Sequence, residues 1–270
     1  MCASAFISLG PDHYDELYQQ LSDHEPWSVL PFDALLRYGF DHPYHRWFAE
    51  VDRGRIIGII YAYHQFLFVL YPALPDHTQL DWFLSRFFPQ FTLCGSRQQL
   101  NWAKRHLYSF RSNPLDQSRF VVQSDQTIKL LQTPPPQLKG ITIRPAVKGD
   151  FHALLNLYRG TEVEHEVDQY LIWDLLRFNQ VIIAEREKPI GSAMLLKESP
   201  RYCLLGGLFV DPCYRKRGIA SALGFTLLKR VLNKGKQACF YYRDPAMAPF
   251  YQRGGFRTIG NWHTYAFTSK

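Results

Sequence analysis

The sequence predicts an α/β (α+β) fold in two parts, a smaller divergent α/β domain followed by a second, more regular one. Three observations carry this reading. Hydrophobic residues make up 46% of the 270 positions and charged residues 20%, enough apolar material for a real core and too little charge for a disordered chain. Three consecutive prolines lie within QTPPPQLKG, Gln132–Gly140, where they suit neither a helix interior nor a central strand and form a stiff, extended connector. Hydrophobic spacing then switches repeatedly between period 2 and period 3.6 along the second half. Boundaries are expected at 1–132, a Pro-rich linker over 133–139, and 140–270.

In the second half, ITIRPA is a short alternating strand ended by proline, and KGDFHALLNLYRG is a helix with Asp150 at its N-cap. QYLIWDLLRFN is a second amphipathic helix. VIIAERE and PIGSAMLLKES form a hairpin, and RYCLLGGLFVD is a continuous apolar strand. IASALGFTLLKRVLNKG is a helix that stops at Gly235 with cations in its last turns. QACFYYR is a buried strand, PAMAPFYQRGG a short helix, and FRTIG and NWHTYAFT two closing strands. In the first half, EVDRGRIIGIIYAYHQFLFVLYP reads as strand, turn and strand, TQLDWFLSRFF and RQQLNWAKRHL as helices around the strand FTLCGS, and SRFVVQSDQTIKL as a closing hairpin. The order faintly echoes the second half, as a degenerate copy of it would.

Net charge is +7, and its distribution is uneven: residues 1–139 carry 12 Lys/Arg against 13 Asp/Glu, residues 140–270 carry 19 against 11. A basic second domain suits nucleic acid or a small ligand with several phosphates. No arginine-rich stripe with interleaved aromatics is present, so nucleic acid is not the expected partner. Five cysteines form no C-x-x-C pair and no zinc spacing with the ten histidines, so no metal is expected. The odd count, with no basic n-region in the first twenty residues, points to reduced thiols and a cytoplasmic location. The apolar window from Ile56 to Leu74 is broken by Gly58, His64-Gln65 and Pro72, which makes it two buried strands rather than a membrane span.

The most informative stretch is FVDPCYRKRGIASALGFTLLKR, Phe209–Arg230. Three cations, Arg215, Lys216 and Arg217, run into Gly218 at the mouth of a helix. A helix N-terminus presents unpaired N–H groups and the positive end of the macrodipole, so it attracts anions. Gly218 has no Cβ to hold a pyrophosphate away, and Ala220 keeps the first turn narrow. The alternative is an ordinary basic helix start; the neighbouring motifs favour the polyphosphate.

The element order of residues 140–270 and three local signatures resemble the GNAT superfamily of N-acetyltransferases. ITIRPAVKGDFHALLNLY is similar to that family's opening strand, Arg-Pro turn and first helix. LFVDPCYRKRGIASAL is similar to its acetyl-CoA motif, with Arg215, Gly218 and Ala220 at the motif positions. DPAMAPFYQRGGF is similar to its late Phe-Tyr-x-x-x-Gly-Phe, here Phe250, Tyr251, Gly255 and Phe256. The resemblance covers about half the chain; a divergent first half before a GNAT-like second half is also similar to the glycine N-acyltransferase group and to bacterial two-domain GNAT proteins. It implies a mixed, mostly antiparallel twisted sheet flanked by helices. It departs from the family pattern at Asp244, where Asn is frequent, and at Met247, where Ala is.

By this resemblance the co-substrate is acetyl-CoA, with Leu208, Phe209 and Val210 running beside the pantetheine and Arg215, Lys216, Arg217, Gly218, Ile219, Ala220 and Ser221 around the phosphates. Asp244 is a further cofactor contact. Gly206-Gly207 marks a bulge that splays the strand, or else eases packing; N–H groups freed at a splay would bond the pantetheine and polarise the thioester carbonyl. Tyr251 stands where relatives carry the phenol that protonates the leaving thiolate. Glu162 and Glu166, in TEVEHEVDQY, are candidate bases at the acceptor site, or members of a solvated acidic turn. The expected acceptor is a small amine or amino-acid-like molecule. The rivals are a glycine N-acyltransferase-like enzyme using another acyl-CoA and a non-catalytic CoA-responsive module. No membrane partner is expected, a homodimer is compatible with the sequence, and the first domain, lacking the basic loop, is expected not to bind CoA.

Overall fold

A computed structural model describes residues 4–132, 138–161 and 169–270. In chain order its elements are strand Ala5–Ser8 (β1), helices Tyr14–Asp23 (α1) and Val29–Tyr38 (α2), strands His45–Asp52 (β2), Arg55–Tyr63 (β3) and Phe66–Leu70 (β4), helix Leu80–Phe87 (α3), strand Gln90–Ser96 (β5), helix Arg97–His106 (α4), strand Phe110–Gln123 (β6) and helix Asp125–Leu130 (α5). Then follow Thr142–Pro145 (β7), Phe151–Tyr158 (α6), Gln169–Arg177 (α7), Val181–Glu185 (β8), Pro189–Glu198 (β9), Tyr202–Val210 (β10), Ile219–Asn233 (α8), Gln237–Tyr242 (β11), Ala248–Arg253 (α9) and Phe256–Ser269 (β12). The fold is the mixed α/β class the sequence predicts. No helix among the described residues is long and apolar enough to cross a membrane.

The chain divides into two compact units. Residues up to 121, with 241–246 and 258–270, form the first; residues 122–240, with 247–257, form the second. This differs from a division at the proline run. The last strand is counted with the first unit because it pairs antiparallel with β5, from Trp262 opposite Ser96 to Thr268 opposite Gln90.

In the first unit the strand order is β1-β2-β3-β4-β5-β12-β6. β1 to β4 are successive antiparallel neighbours, and β4 and β5 are parallel around helix α3. Alternation fixes the two faces. Ile60, Leu67 and Val69 point to the cluster built with Leu80, Phe83 and Leu84 of α3, while Ile59, Phe68 and Leu70 join Leu17 and Leu21 of α1 and Phe32 of α2. The window from Ile56 to Leu74 is therefore two buried strands, turning at His64 in left-handed geometry.

Two readings of the sequence are corrected here, and two helices are added. Helices α1 and α2 add to the elements read from the sequence: Tyr14, Leu17, Tyr18 and Leu21 of α1 fall at helical spacing, with Leu17 and Leu21 buried. The expected hairpin at SRFVVQSDQTIKL is instead the end of β6 followed by α5, because Ser124 starts a helix: its N–H donates to Thr127 Oγ1 at 3.2 Å and its carbonyl accepts from Thr127 N at 2.9 Å. FRTIG and NWHTYAFT form one strand, β12, since Gly260 does not take a left-handed turn.

In the second unit the order is β11-β10-β9-β8-β7. β7 to β10 are successive antiparallel neighbours, and β10 and β11 are parallel around α8. Leu154 and Tyr158 of α6, Ile172 and Leu175 of α7, and Val181, Ile183, Met194 and Phe209 of the sheet form its core. Ile219, Ala222, Leu223, Leu227, Leu228 and Val231 make the buried stripe of α8.

The Arg-Pro turn has a clear structural use. The Arg144 guanidinium is bidentate to both Asp150, at 2.7 and 2.9 Å, and Glu185, at 2.7 and 2.9 Å. It joins β7, β8 and the start of α6, and its bonds hold both carboxyl groups below their usual range.

Candidate functional site

The site begins at a fork between two strands. β10 and β11 pair in parallel from Tyr202 opposite Gln237 to Leu204 opposite Cys239, and no further. Beyond that point β10 runs on to Val210 and β11 to Tyr242 without pairing to each other. The cause lies on the β9 side. Gly206 stands opposite Met194 and Phe209 opposite Ser192, so three steps along β10 answer two along β9. That is a β-bulge, and Gly207 sits in it at φ +56°. The two glycines differ in how strictly they are needed. A Cβ on Gly206 would lie 2.4 Å from Leu196 Cδ1, so that side chain would have to move, while Gly207 supplies the left-handed backbone and a Cβ there would meet Met194 Sδ at 2.8 Å.

Leu208 to Val210 lead out of this bulge. Phe209 turns its ring to Tyr158, with centroids 5.6 Å apart, and is buried in the core. By strand alternation Leu208 and Val210 face the other way. Their backbone is the part of the strand beside the fork.

The chain then makes a 3-10 turn, Pro212–Tyr214, capped by Asp211 Oδ1 accepting from Cys213 N at 2.9 Å. The basic loop follows, with left-handed residues at Lys216 (φ +62°) and Gly218 (φ +82°). Gly218 is the N-cap of α8. No side chain among the described residues caps it, which leaves the first-turn N–H groups of Ile219, Ala220 and Ser221 without a side-chain acceptor there. A Cβ on Gly218 would meet only Leu138 Cδ2, at 3.7 Å.

The three cations differ in role. Arg215 is drawn back to the strand: its Nε donates to the Val210 carbonyl at 3.0 Å and its guanidinium lies 5.8 Å from the Phe209 ring centre. Arg217 donates to the Cys213 carbonyl at 3.3 Å and lies over Tyr214. Lys216 is exposed. None of the three forms an ion pair among the described residues. An exposed, uncapped helix start beside three uncompensated cations is chemically fitted to an anion of high charge.

Tyr251 lies on α9, half-buried, with its ring centre 4.5 Å from that of Phe240. Phe240 is the first β11 residue beyond the last pair with β10. The structure therefore puts Tyr251 on the β11 prong of the fork. Asp244 lies between β11 and α9, and its Oδ1 caps the turn at Pro245–Met247 by accepting from Ala246 N at 2.9 Å. Glu162 and Glu166 lie outside the described residues.

The first unit treats the corresponding helix start differently. Glu50 on β2 is fully buried, and its carboxylate accepts from Gln79 N at 2.7 Å, from Tyr71 Oη at 2.8 Å, and from the hydroxyls of Ser4 and Thr78. Gln79 is the N-cap of α3. A carboxylate of the chain itself thus lies at the α3 start, bonded to its N-cap N–H, while Leu80 N donates to Thr78 Oγ1 at 3.1 Å. At the end of β4 the slot is also closed by Gln99, whose amide donates to the Tyr71 carbonyl at 3.0 Å and accepts from Tyr71 N at 3.1 Å. A cavity of about 400 Å³ does open in this unit, walled by Trp27, Phe68 and Leu70 and rimmed by His24, Arg97 and Asn261, but it has no phosphate loop.

Residues 177–258 match the family model described as Acetyltransferase (GNAT) domain. No curated protein matches the sequence. Several solved structures are similar over nearly the whole chain. A tandem GNAT protein from the clavulanic acid biosynthesis pathway has a TM-score of 0.67 at 14% identity, covering 98% of each chain. A GCN5-related N-acetyltransferase from Sphaerobacter thermophilus has a TM-score of 0.65 at 16% identity, covering 97% of this chain and 95% of that one. A GNAT-family acetyltransferase from Colwellia psychrerythraea has a TM-score of 0.62 at 14% identity, covering 98% of this chain and all of that one. The chain has the GNAT fold, and residues 177–258 of its second half are similar to the GNAT domain model.

Proposed function

We propose that this GNAT-domain protein is an acyl-CoA-dependent N-acyltransferase that moves acetyl from acetyl-CoA to the primary amine of a small, amino-acid-like molecule. One observation carries the reading: a bulged strand parts from its parallel neighbour and leads, through a basic loop, to an uncapped helix start. A parted strand offers backbone N–H groups to an extended amide-bearing chain, and the helix start offers N–H groups and a positive field to phosphates. Pantetheine and pyrophosphate are joined in CoA in that order.

The residues present fit the cofactor. Ile219, Ala220 and Ser221 would receive the pyrophosphate through their N–H groups, with Lys216 and Arg217 supplying charge and Arg215 bracing the loop against Val210. Backbone from Leu208 to Val210 would hold the pantetheine. CoA supplies the activated thioester; the chain binds it, orients it and handles protons. An amine near pKa ~10.4 must lose its proton before attack, and a thiolate near ~8.5 gains one on leaving. Tyr251, on the far prong of the fork, is the group we assign to protonate the thiolate. Glu162 and Glu166 remain our candidates to take the amine proton. Transfer is direct, without an acyl-enzyme. We place the reaction in the cytoplasm, in keeping with an odd count of five cysteines with no C-x-x-C pair.

The test is thiol release from acetyl-CoA across a panel of primary amines, with the acetylated product identified by mass. Amine-dependent release with intersecting initial-velocity lines supports direct transfer. Tight acetyl-CoA binding with no turnover on amines of any class would leave a CoA-responsive module instead.

A further inference from the structure

Tyr158, the last residue of α6, is 1% exposed, and its hydroxyl donates to the Gly207 carbonyl at 2.8 Å. The same hydroxyl is in close hydrogen-bond contact with Ser192 Oγ on β9, which lies 3.3 Å from that carbonyl and is fully buried. Each hydroxyl has a single proton, and the Tyr158 contact with Gly207 is shorter than that of Ser192, so the favoured arrangement is a relay: Ser192 donates to the Tyr158 oxygen, and Tyr158 donates to Gly207. Burial pushes the Tyr158 phenol well above its ordinary range, which keeps it a donor. Neither side chain reaches solvent. Both act on one peptide group, that between Gly207 and Leu208, at the centre of the bulge.

The direction of that peptide matters. The only cis bond among the described residues is Glu25–Pro26, so the 207–208 peptide is trans and planar, with its C=O and N–H pointing opposite ways. Holding the Gly207 carbonyl toward α6 and β9 turns the Leu208 N–H away from them. Gly207 in left-handed geometry is free to let the peptide rotate, so its backbone alone does not choose.

We propose that Tyr158 and Ser192 are positioning residues that set the direction of the bulge peptide, holding the Leu208 N–H toward the parted side of β10, where it polarises the thioester carbonyl. This rests on the acyl-CoA reading above. Tyr158 and Ser192 touch neither cofactor nor acceptor; they act through Gly207. Their removal therefore changes the carbonyl's polarisation and not the binding of the nucleotide end, which lies at the α8 start.

The experiment is isotope-edited infrared spectroscopy of the full chain with acetyl-CoA carrying carbon-13 at its thioester carbonyl, on wild type, Tyr158→Phe, Ser192→Ala and the double variant. Acetyl-CoA affinity is measured in parallel. Wild type is expected to lower the carbonyl stretch relative to free acetyl-CoA. Tyr158→Phe is expected to reduce that shift and the double variant to abolish it, with affinity held within roughly threefold of wild type and any loss of turnover in kcat rather than KM. Ser192→Ala, the mildest change, leaves the direct Tyr158 bond and is expected to give the smallest loss; it serves if the double variant does not fold. Variants that bind acetyl-CoA with the wild-type shift would overturn the proposal. So would a wild type that binds acetyl-CoA with no shift, which leaves the acyl-CoA reading standing. A wild type that does not bind acetyl-CoA overturns that reading, and this one with it.

Discussion

Substitution at Gly218 separates backbone geometry from charge at the proposed phosphate seat. Gly218 sits at φ +82°, ψ 0°, and an added Cβ would meet only Leu138 Cδ2 at 3.7 Å, an ordinary contact. Gly218→Ala therefore introduces left-handed strain of ~1–2 kcal/mol and little else. For a chain of this size that lowers the melting temperature by about 2–8 °C. Gly218→Glu introduces the same strain and adds a carboxylate facing the site. A unit charge ~4 Å from a phosphate oxygen is opposed by ~1 kcal/mol in water and ~4 kcal/mol near a protein surface. Take ~2.7 kcal/mol, a hundredfold loss of affinity. Acetyl-CoA at about a hundred times the wild-type Kd stabilises wild type by ~2.7 kcal/mol but Gly218→Glu by only ~0.4 kcal/mol. Thermal melts with and without saturating acetyl-CoA read all of this at once. Wild type gains several degrees, Gly218→Ala starts lower yet gains nearly as much, and Gly218→Glu starts as low and gains about one degree. A wild-type gain retained in Gly218→Glu would refute the placement of the phosphates at this loop. Equal loss in both variants would refute the role of charge.

Tyr251→Phe should lower kcat about 10²-fold or more, the range for general-acid groups, and leave acetyl-CoA affinity unchanged; stopped-flow binding beside steady-state turnover checks it, and unchanged kcat removes the phenol from the mechanism. Arg144→Met should destabilise by about 1–2 kcal/mol, since both bidentate pairs are partly exposed. Because Arg144 depresses the folded pKa of Asp150 and Glu185, its stabilisation is present above their unfolded values near ~4 and is lost as pH falls through the folded ones. Urea titrations at pH 7 and pH 3 should show the gap between wild type and variant narrowing in acid; a gap that widens contradicts the pairing. Glu50→Gln should cost about 2–4 kcal/mol, because an NH₂ then faces donors that a carboxylate oxygen accepted, read as a lower urea midpoint at an unchanged m-value.

Legibility in the sequence followed local chemistry. The basic loop, Gly218 and the stripe of α8 are contiguous and strongly patterned, and the structure places them as read. Gly206-Gly207 could be flagged as a bulge because two adjacent glycines in an apolar strand need a reason. Which peptide the bulge turns could not be read, since Tyr158 counts as one more apolar position of a helix and Ser192 as one small residue in a strand 34 positions away. Arg144 was legible as part of a turn but not as the fork that joins two carboxylates from separate elements. Helix α1 was legible too, since Tyr14, Leu17, Tyr18 and Leu21 repeat at helical spacing ahead of the strands. The last strand was expected to close the second unit, yet it pairs with β5, a choice made by registers that span most of the chain. Glu50 gave no signal, because a buried, fully bonded carboxylate reads in sequence as an ordinary strand-face charge.

The most direct test of the account is the number of acetyl-CoA sites per chain, measured by equilibrium dialysis with radiolabelled acetyl-CoA on wild type and Gly218→Glu. The account predicts one saturable site in wild type, competed by CoA and lost in the variant, because the α8 start is open and the α3 start already has Glu50 bonded to its N-cap N–H. Two sites per chain would contradict the reading of the first unit. No saturable site would contradict the central claim that the basic loop and the strand fork hold an acyl-CoA.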